Sequence, residues 1–93
     1  MWLAPFSYRR CCYAAEQGYA IAQHNLGVIY ANGWGVLQDA VLAHMWYNIG
    51  GANGNELGTK NRGEIEKLMS REQTAEAQAL ARVCMASNYQ DCD

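Results

Sequence analysis

The residues able to do covalent, acid–base or metal chemistry in this chain are four cysteines, two histidines and a scatter of carboxylates. A nucleophilic thiolate needs a neighbouring base or a helix N-terminus to lower its pKa. Cys11 and Cys12 read as mid-helix residues, and Cys84 falls near a helix C-terminus, the wrong end for that purpose. There is no Cys-x-x-Cys pair and no histidine at zinc-site spacing from a cysteine. Adjacent cysteines seldom bond to each other, because the ring is strained. One of Cys11 and Cys12 therefore reads as a small core residue and the other as an exposed thiol. Cys84 and Cys92 flank seven residues and can either fold back to close a small loop or remain buried thiols.

His24 and His44 have no cysteine within four residues, and Asp39 is the nearest carboxylate. His24 reads as a surface or groove-lining residue, and His44 as solvent-facing or partly buried beside a packing stripe. Glu72 and Glu76 stand i, i+4 on an exposed helix face, and with Glu64 and Glu66 they read as helix solvation. Gly33-Trp34-Gly35 follows no strand and precedes no Gly-Lys-Ser/Thr, which argues against a phosphate loop. No catalytic residue, metal site or cofactor is expected. What remains is recognition.

The elements that must position these residues are helices. The chain has 93 residues, 51% apolar and 17% charged, enough for one small folded domain. A net charge of −2 and scattered Lys and Arg leave no footprint for nucleic acid or an anionic membrane. No apolar run approaches the roughly 20 residues that span a bilayer. The opening Met1-Trp2-Leu3-Ala4-Pro5-Phe6 is too short for a secretory core and lacks basic flanks. Few valines and isoleucines, many alanines and a single proline predict an all-α fold.

Five helices are expected. The first runs over Phe6–Gln17 and stops at Gly18. The second runs from Tyr19 or Ala20 to Asn32, with Ala22, Leu26, Gly27 and Tyr30 on one face. Gly27 in mid-helix costs about 1 kcal/mol, which predicts close approach of a neighbour. Gly33 and Gly35 then make a turn. The third helix starts near Gln38–Asp39, with Asp39 capping it and Ala43, Trp46, Tyr47 and Gly50 as its stripe. Gly50-Gly51 and Asn53-Gly54 are expected to end it. The fourth spans Glu56–Met69 on Leu57, Ile65 and Leu68. Ser70 and Gln73 form a capping box that opens the fifth, Arg71–Ser87, whose buried stripe is Ala77, Leu80, Ala81 and Cys84. The tail, residues 88–93, is polar and reads as irregular.

The chain resembles itself at an offset of 36 residues, from Ala14-Ala15-Glu16-Gln17-Gly18 to Gly50-Gly51-Ala52-Asn53-Gly54 (14 to 50). The same offset carries Asn25 to Asn61 and Gly27 to Gly63. A period of that length in paired helices is the mark of an α-solenoid. The stretch from Ala20 to Gly54 contains Ala22-Gln23-x-Asn25-Leu26-Gly27-x-x-Tyr30-x-x-Gly33-x-Gly35-Val36-x-Gln38-Asp39, then Ala43-x-x-Trp46-Tyr47, then Gly54. It resembles the Sel-1-like repeat, a relative of the tetratricopeptide repeat.

That resemblance implies an α/α solenoid of antiparallel helix pairs in one domain. Residues 6–18 would be a half unit, 19–54 a full unit, 55–69 a partial unit and 70–87 a capping helix that replaces the second half of the last unit. The structural positions would be Ala22, Leu26, Gly27, Tyr30, Gly33, Gly35, Asp39, Ala43, Trp46 and Gly54. The first half unit departs from the pattern, with Arg10 and Cys11 in place of Trp46 and Tyr47, and in the last unit Arg62 replaces Leu26. Cysteine-rich members of the family pair cysteines across seven residues, which implies a Cys84–Cys92 disulfide and hence a periplasmic or secreted protein. Reduced cysteines would imply a cytoplasmic one.

The implied function is a scaffold that holds a peptide or protein partner on its concave surface. Ile21, His24, Val28, Ala31 and Asn32 would line it on the full unit. Leu57, Lys60, Glu64, Lys67 and Leu68 would line it on the next. Two other functions follow from the same likeness. One is binding or hydrolysis of β-lactams, as linked to cysteine-rich relatives, although Ser-x-x-Lys and a histidine cluster are absent. The other is self-association through exposed repeat edges.

Overall fold

The computed structural model describes residues 8–92, so the expected helix start at Phe6, the opening segment and Asp93 lie outside the described residues. Five helices follow in order: α1 Tyr8–Glu16, α2 Ala20–Asn32, α3 Ala40–Ala52, α4 Glu56–Glu66 and α5 Arg71–Ala86. No strand occurs among the described residues. Successive helices α1 to α4 pack antiparallel, giving an α/α solenoid with α3 at its centre.

Local chemistry sets the ends. Asp39 accepts a hydrogen bond from Leu42 N at 3.0 Å and Asn55 one from Gly58 N at 2.9 Å, the cap each helix start requires. Ser70 and Gln73 complete the capping box of α5. Gly18, Gly33 and Gly54 sit at φ of 90°, 70° and 104°, the left-handed region that only glycine enters without strain. Two expected boundaries move. α3 starts at Ala40, with Asp39 as cap, and runs through Gly50 and Gly51 to Ala52. Those two glycines stay helical because their missing side chains make room for neighbours. A Cβ on Gly50 would lie 3.1 Å from Ala20 O, and one on Gly51 would strike Thr59. α4 ends at Glu66, three residues short of Met69, as Lys67, Leu68 and Met69 tighten into i to i−3 bonds.

Leu26, Ile29, Ala43, Met45 and Ile49 are fully buried between α2 and α3, with Trp46, Tyr47 and Tyr30 almost so. Gly27 has the predicted close neighbour: a Cβ there would run into the Tyr47 ring. On the other face of α3, α4 approaches through Gly58, where a Cβ would stand 2.7 Å from Tyr47 O and 2.8 Å from Gly51 N.

α5 departs from the expectation that it replaces the partner of α4. It packs on α3 instead, and Ala81 and Cys84 join the core that holds the buried residues of α3. The tail has no regular secondary structure over residues 87–92, as expected, but it is tied down by hydrogen bonds. Tyr89 N bonds Cys84 O at 2.8 Å and Asn88 N bonds Met85 O at 3.1 Å, with Asn88 and Tyr89 at φ of 57° and 65°. This is the Schellman closure of a helix C-terminus, with Asn88 in the usual place of glycine. Cys84 and Cys92 are disulfide-bonded and both buried. Cys11 and Cys12 remain thiols, Cys11 buried and Cys12 half-buried, where one exposed thiol was expected.

Candidate functional site

α2 and α4 lie side by side across α3. Between the C-terminal half of α2 and α4 runs an open trough of about 670 Å³. Ala31, Ala40, Tyr47, Ile65 and Leu68 supply its apolar lining, and Gln38, Asn61, Glu64 and Lys67 its polar rim. Lys67 Nζ stands 3.3 Å from the Glu64 carboxylate, an exposed i, i+3 pair worth a few tenths of a kcal/mol at most. Gln38 Nε2 donates to Ala31 O at 2.8 Å, which leaves its carbonyl oxygen for a guest. His24 stacks on Tyr47 with ring centroids 5.6 Å apart. Its Nε2 meets Asn61 Nδ2 at 2.9 Å and its Nδ1 meets Asn25 Oδ1 at 3.3 Å. The amide Nδ2 can only donate, so Nε2 accepts and the ring proton sits on Nδ1.

Of the residues expected on the concave surface, Ala31, Glu64, Lys67 and Leu68 line this trough. His24 touches it through Asn61 and Tyr47. Val28 packs against the core, and Asn32 turns its amide back onto Val28 O at 2.9 Å. Leu57 and Lys60 are exposed on α4 and line neither of the two large cavities. Ile21, 69% exposed, borders a different cavity between α1 and α2. Ala22, Leu26, Gly27, Tyr30, Ala43 and Trp46 are buried.

Two polar clusters escape a reading of the sequence. Gln23 is fully buried, donates to Ala15 O at 3.1 Å and accepts from Asn53 Nδ2 at 2.8 Å. Asn53 also donates to the Tyr89 hydroxyl at 2.9 Å, so the two amides in series tie α1, α2, the end of α3 and the tail together. The other cluster is His44, fully buried where a solvent-facing or partly buried place was expected. Its Nε2 lies 3.2 Å from a Glu66 oxygen without completing a hydrogen bond, and Nδ1 has no partner. Burial lowers its pKa, opposed by the Glu66 carboxylate and assisted by the Arg62 guanidinium. Arg62 stands 3.7 Å from Glu66 and donates to Asn48 Oδ1 at 2.9 Å. This cluster joins α3 to α4.

Among the described residues no three His, Cys, Asp or Glu side chains are placed to hold a metal ion. Nor is any helix among them long and apolar enough to cross a membrane. Comparison with known proteins found no family model and no curated protein that matches the chain.

Proposed function

We propose that the chain is a Sel-1-like repeat module that works as a scaffold, holding an extended peptide segment of a protein partner in the trough between α2 and α4. The repeat reading draws support from two corners built alike. At the α1/α2 corner Tyr19 N bonds Ala14 O and Gly18 N bonds Ala15 O; 36 residues on, Asn55 N bonds Gly50 O and Gly54 N bonds Gly51 O. The observation that carries the function is the trough's lining. An apolar floor gives affinity, and the carbonyl oxygens of Gln38 and Asn61 can accept from the backbone N–H groups of an extended guest. Among the described residues the lining holds no serine, cysteine or histidine. The Cys84–Cys92 bond supports placement in an oxidising compartment, the periplasm or the cell exterior.

Selection from a displayed peptide library, followed by calorimetric titration of the recovered peptide, tests this. Ala31→Arg blocks the floor and is expected to weaken binding at least about tenfold, roughly 1.4 kcal/mol. Lys67→Glu shifts the preference between acidic and basic peptides. Ile21→Arg, outside the trough, leaves affinity unchanged. Recovery of no peptide, or a peptide indifferent to Ala31→Arg, removes the proposal.

A further inference from the structure

One side chain on the rim of the trough is held from behind by a titratable group. Asn61 lines the trough from α4, and its Nδ2 stands 2.9 Å from His24 Nε2 on α2. An asparagine amide has two ends of similar size and opposite sense, since Oδ1 only accepts and Nδ2 only donates. With Nδ2 given to His24, Oδ1 is the acceptor that Asn61 offers a guest. The ring makes that choice. Nε2 accepts because the ring proton is on Nδ1, 3.3 Å from Asn25 Oδ1.

This arrangement holds only while His24 is neutral. Histidine is the side chain whose charge ordinarily changes between about pH 5 and 8, and the charged ring carries N–H on both nitrogens. The Nδ1–H bond to Asn25 is the same in either state, and the stack on Tyr47, with centroids 5.6 Å apart, keeps the ring in place. The change therefore falls on Nε2, where a new N–H meets the Asn61 NH₂ group. A half turn of the amide relieves the clash of donors. Oδ1 then accepts from Nε2–H, and Nδ2 takes the place that Oδ1 held.

We propose that His24 sets the hydrogen-bonding sense of the trough through Asn61, an acceptor toward the guest when the ring is neutral and a donor when it is protonated. The proposal rests on the peptide reading of the trough. Asn61 is then a specificity-determining residue and His24 its positioning residue. Near neutral pH Asn61 takes a backbone N–H of the guest, and in mild acid a backbone C=O, so a guest that suits one state is out of register in the other. The surrounding charges are engaged elsewhere or exposed. α2 carries none. On α3, burial pushes the Tyr47 phenol up, so it stays neutral, and His44 faces Glu66. On α4, Glu56 and Lys60 are exposed, Arg62 donates to Asn48, and Glu64 pairs with Lys67.

Nuclear magnetic resonance of the isotope-labelled full chain, from about pH 7.5 to about pH 5, tests this. At the upper end the ring is expected as the Nδ1–H tautomer, with Overhauser contacts from the Asn61 Nδ2 protons to the imidazole C–H groups. Those contacts are expected to fade with the same midpoint as the His24 ring signals, while circular dichroism shows the chain still folded. Contacts that persist once His24 is charged overturn the proposal, as does a neutral ring protonated on Nε2. A peptide selected for the trough near neutral pH is expected to bind about fivefold more weakly at about pH 5, the net worth of one hydrogen bond. His24→Phe keeps an aromatic ring on Tyr47 and removes the proton, and its affinity is expected to be flat over that range. Equal pH dependence in wild type and His24→Phe also overturns the proposal. Recovery of no peptide counts against the scaffold reading and leaves the role of His24 to be decided by the amide of the free chain.

Discussion

Gly27 and Gly63 occupy equivalent places in α2 and α4 and have opposite surroundings. Helix propensity favours alanine over glycine by about 1 kcal/mol at both. At Gly27 the added methyl runs into the buried Tyr47 ring. Overpacking of this kind costs about 1–3 kcal/mol, so Gly27→Ala is expected to lower stability despite its better propensity. At Gly63 nothing lies within 4 Å, and Gly63→Ala is expected to raise stability by about 0.5–1 kcal/mol. Urea denaturation of both variants at low protein concentration checks the pair. A Gly27→Ala variant more stable than wild type would mean that Tyr47 does not pack as described. Two residues identical in type differ in role because only one has a partner across the helix.

At the scale of elements, α4 packs on α3 with Gly58 as its one buried residue. His44, Arg62, Asn48 and Glu66 supply the polar part of its hold on α3. Folding pulls the His44 pKa below the ordinary 6.5, chiefly by burial. The unfolded chain therefore binds more protons below pH 6.5 than the folded one, and the sign follows. Stability is present in full above 6.5 and declines as pH falls below it, by no more than about 1.4 kcal/mol per pH unit for one proton. Urea midpoints from about pH 8 to about pH 5, with His44→Leu beside wild type, read this out. The His44→Leu variant is expected to lose the part of the slope nearest 6.5. Identical slopes would show that His44 does not titrate with folding.

Over the whole molecule, the C-terminal tail closes the fold back on its start. Cys92 is buried, and Tyr89 lies 3.6 Å from where a Cβ on Gly18 would stand while its hydroxyl holds Asn53. The Cys84–Cys92 bond holds this closure, spanning a sequence separation of 8. Loop-entropy arguments give such a bridge about 2.5 kcal/mol. Cys84→Ser with Cys92→Ser is expected to lose roughly that in urea denaturation, and reductant is expected to mimic the loss in wild type. A change under about 0.5 kcal/mol would mean the tail is held without it. Much of this fold was legible in the sequence. Helix starts at Asp39 and Ser70 and stops at Gly18, Gly33 and Gly54 follow from side-chain caps and positive φ, which act within a few residues. The stripe of Leu26, Gly27, Tyr30, Trp46 and Tyr47 follows from helical period. The trough was half legible, since Ala31, Glu64, Lys67 and Leu68 line it while Ile21 and Asn32 do not. The sequence by itself determined the elements, their caps and their buried faces, because those depend on neighbours along the chain. Only the tertiary structure decided that α5 leaves α4 for α3, that His44 is sealed beside Glu66, and that Gln23 holds three segments together. Those outcomes depend on which faces of different helices meet, where periodicity along one helix carries no signal.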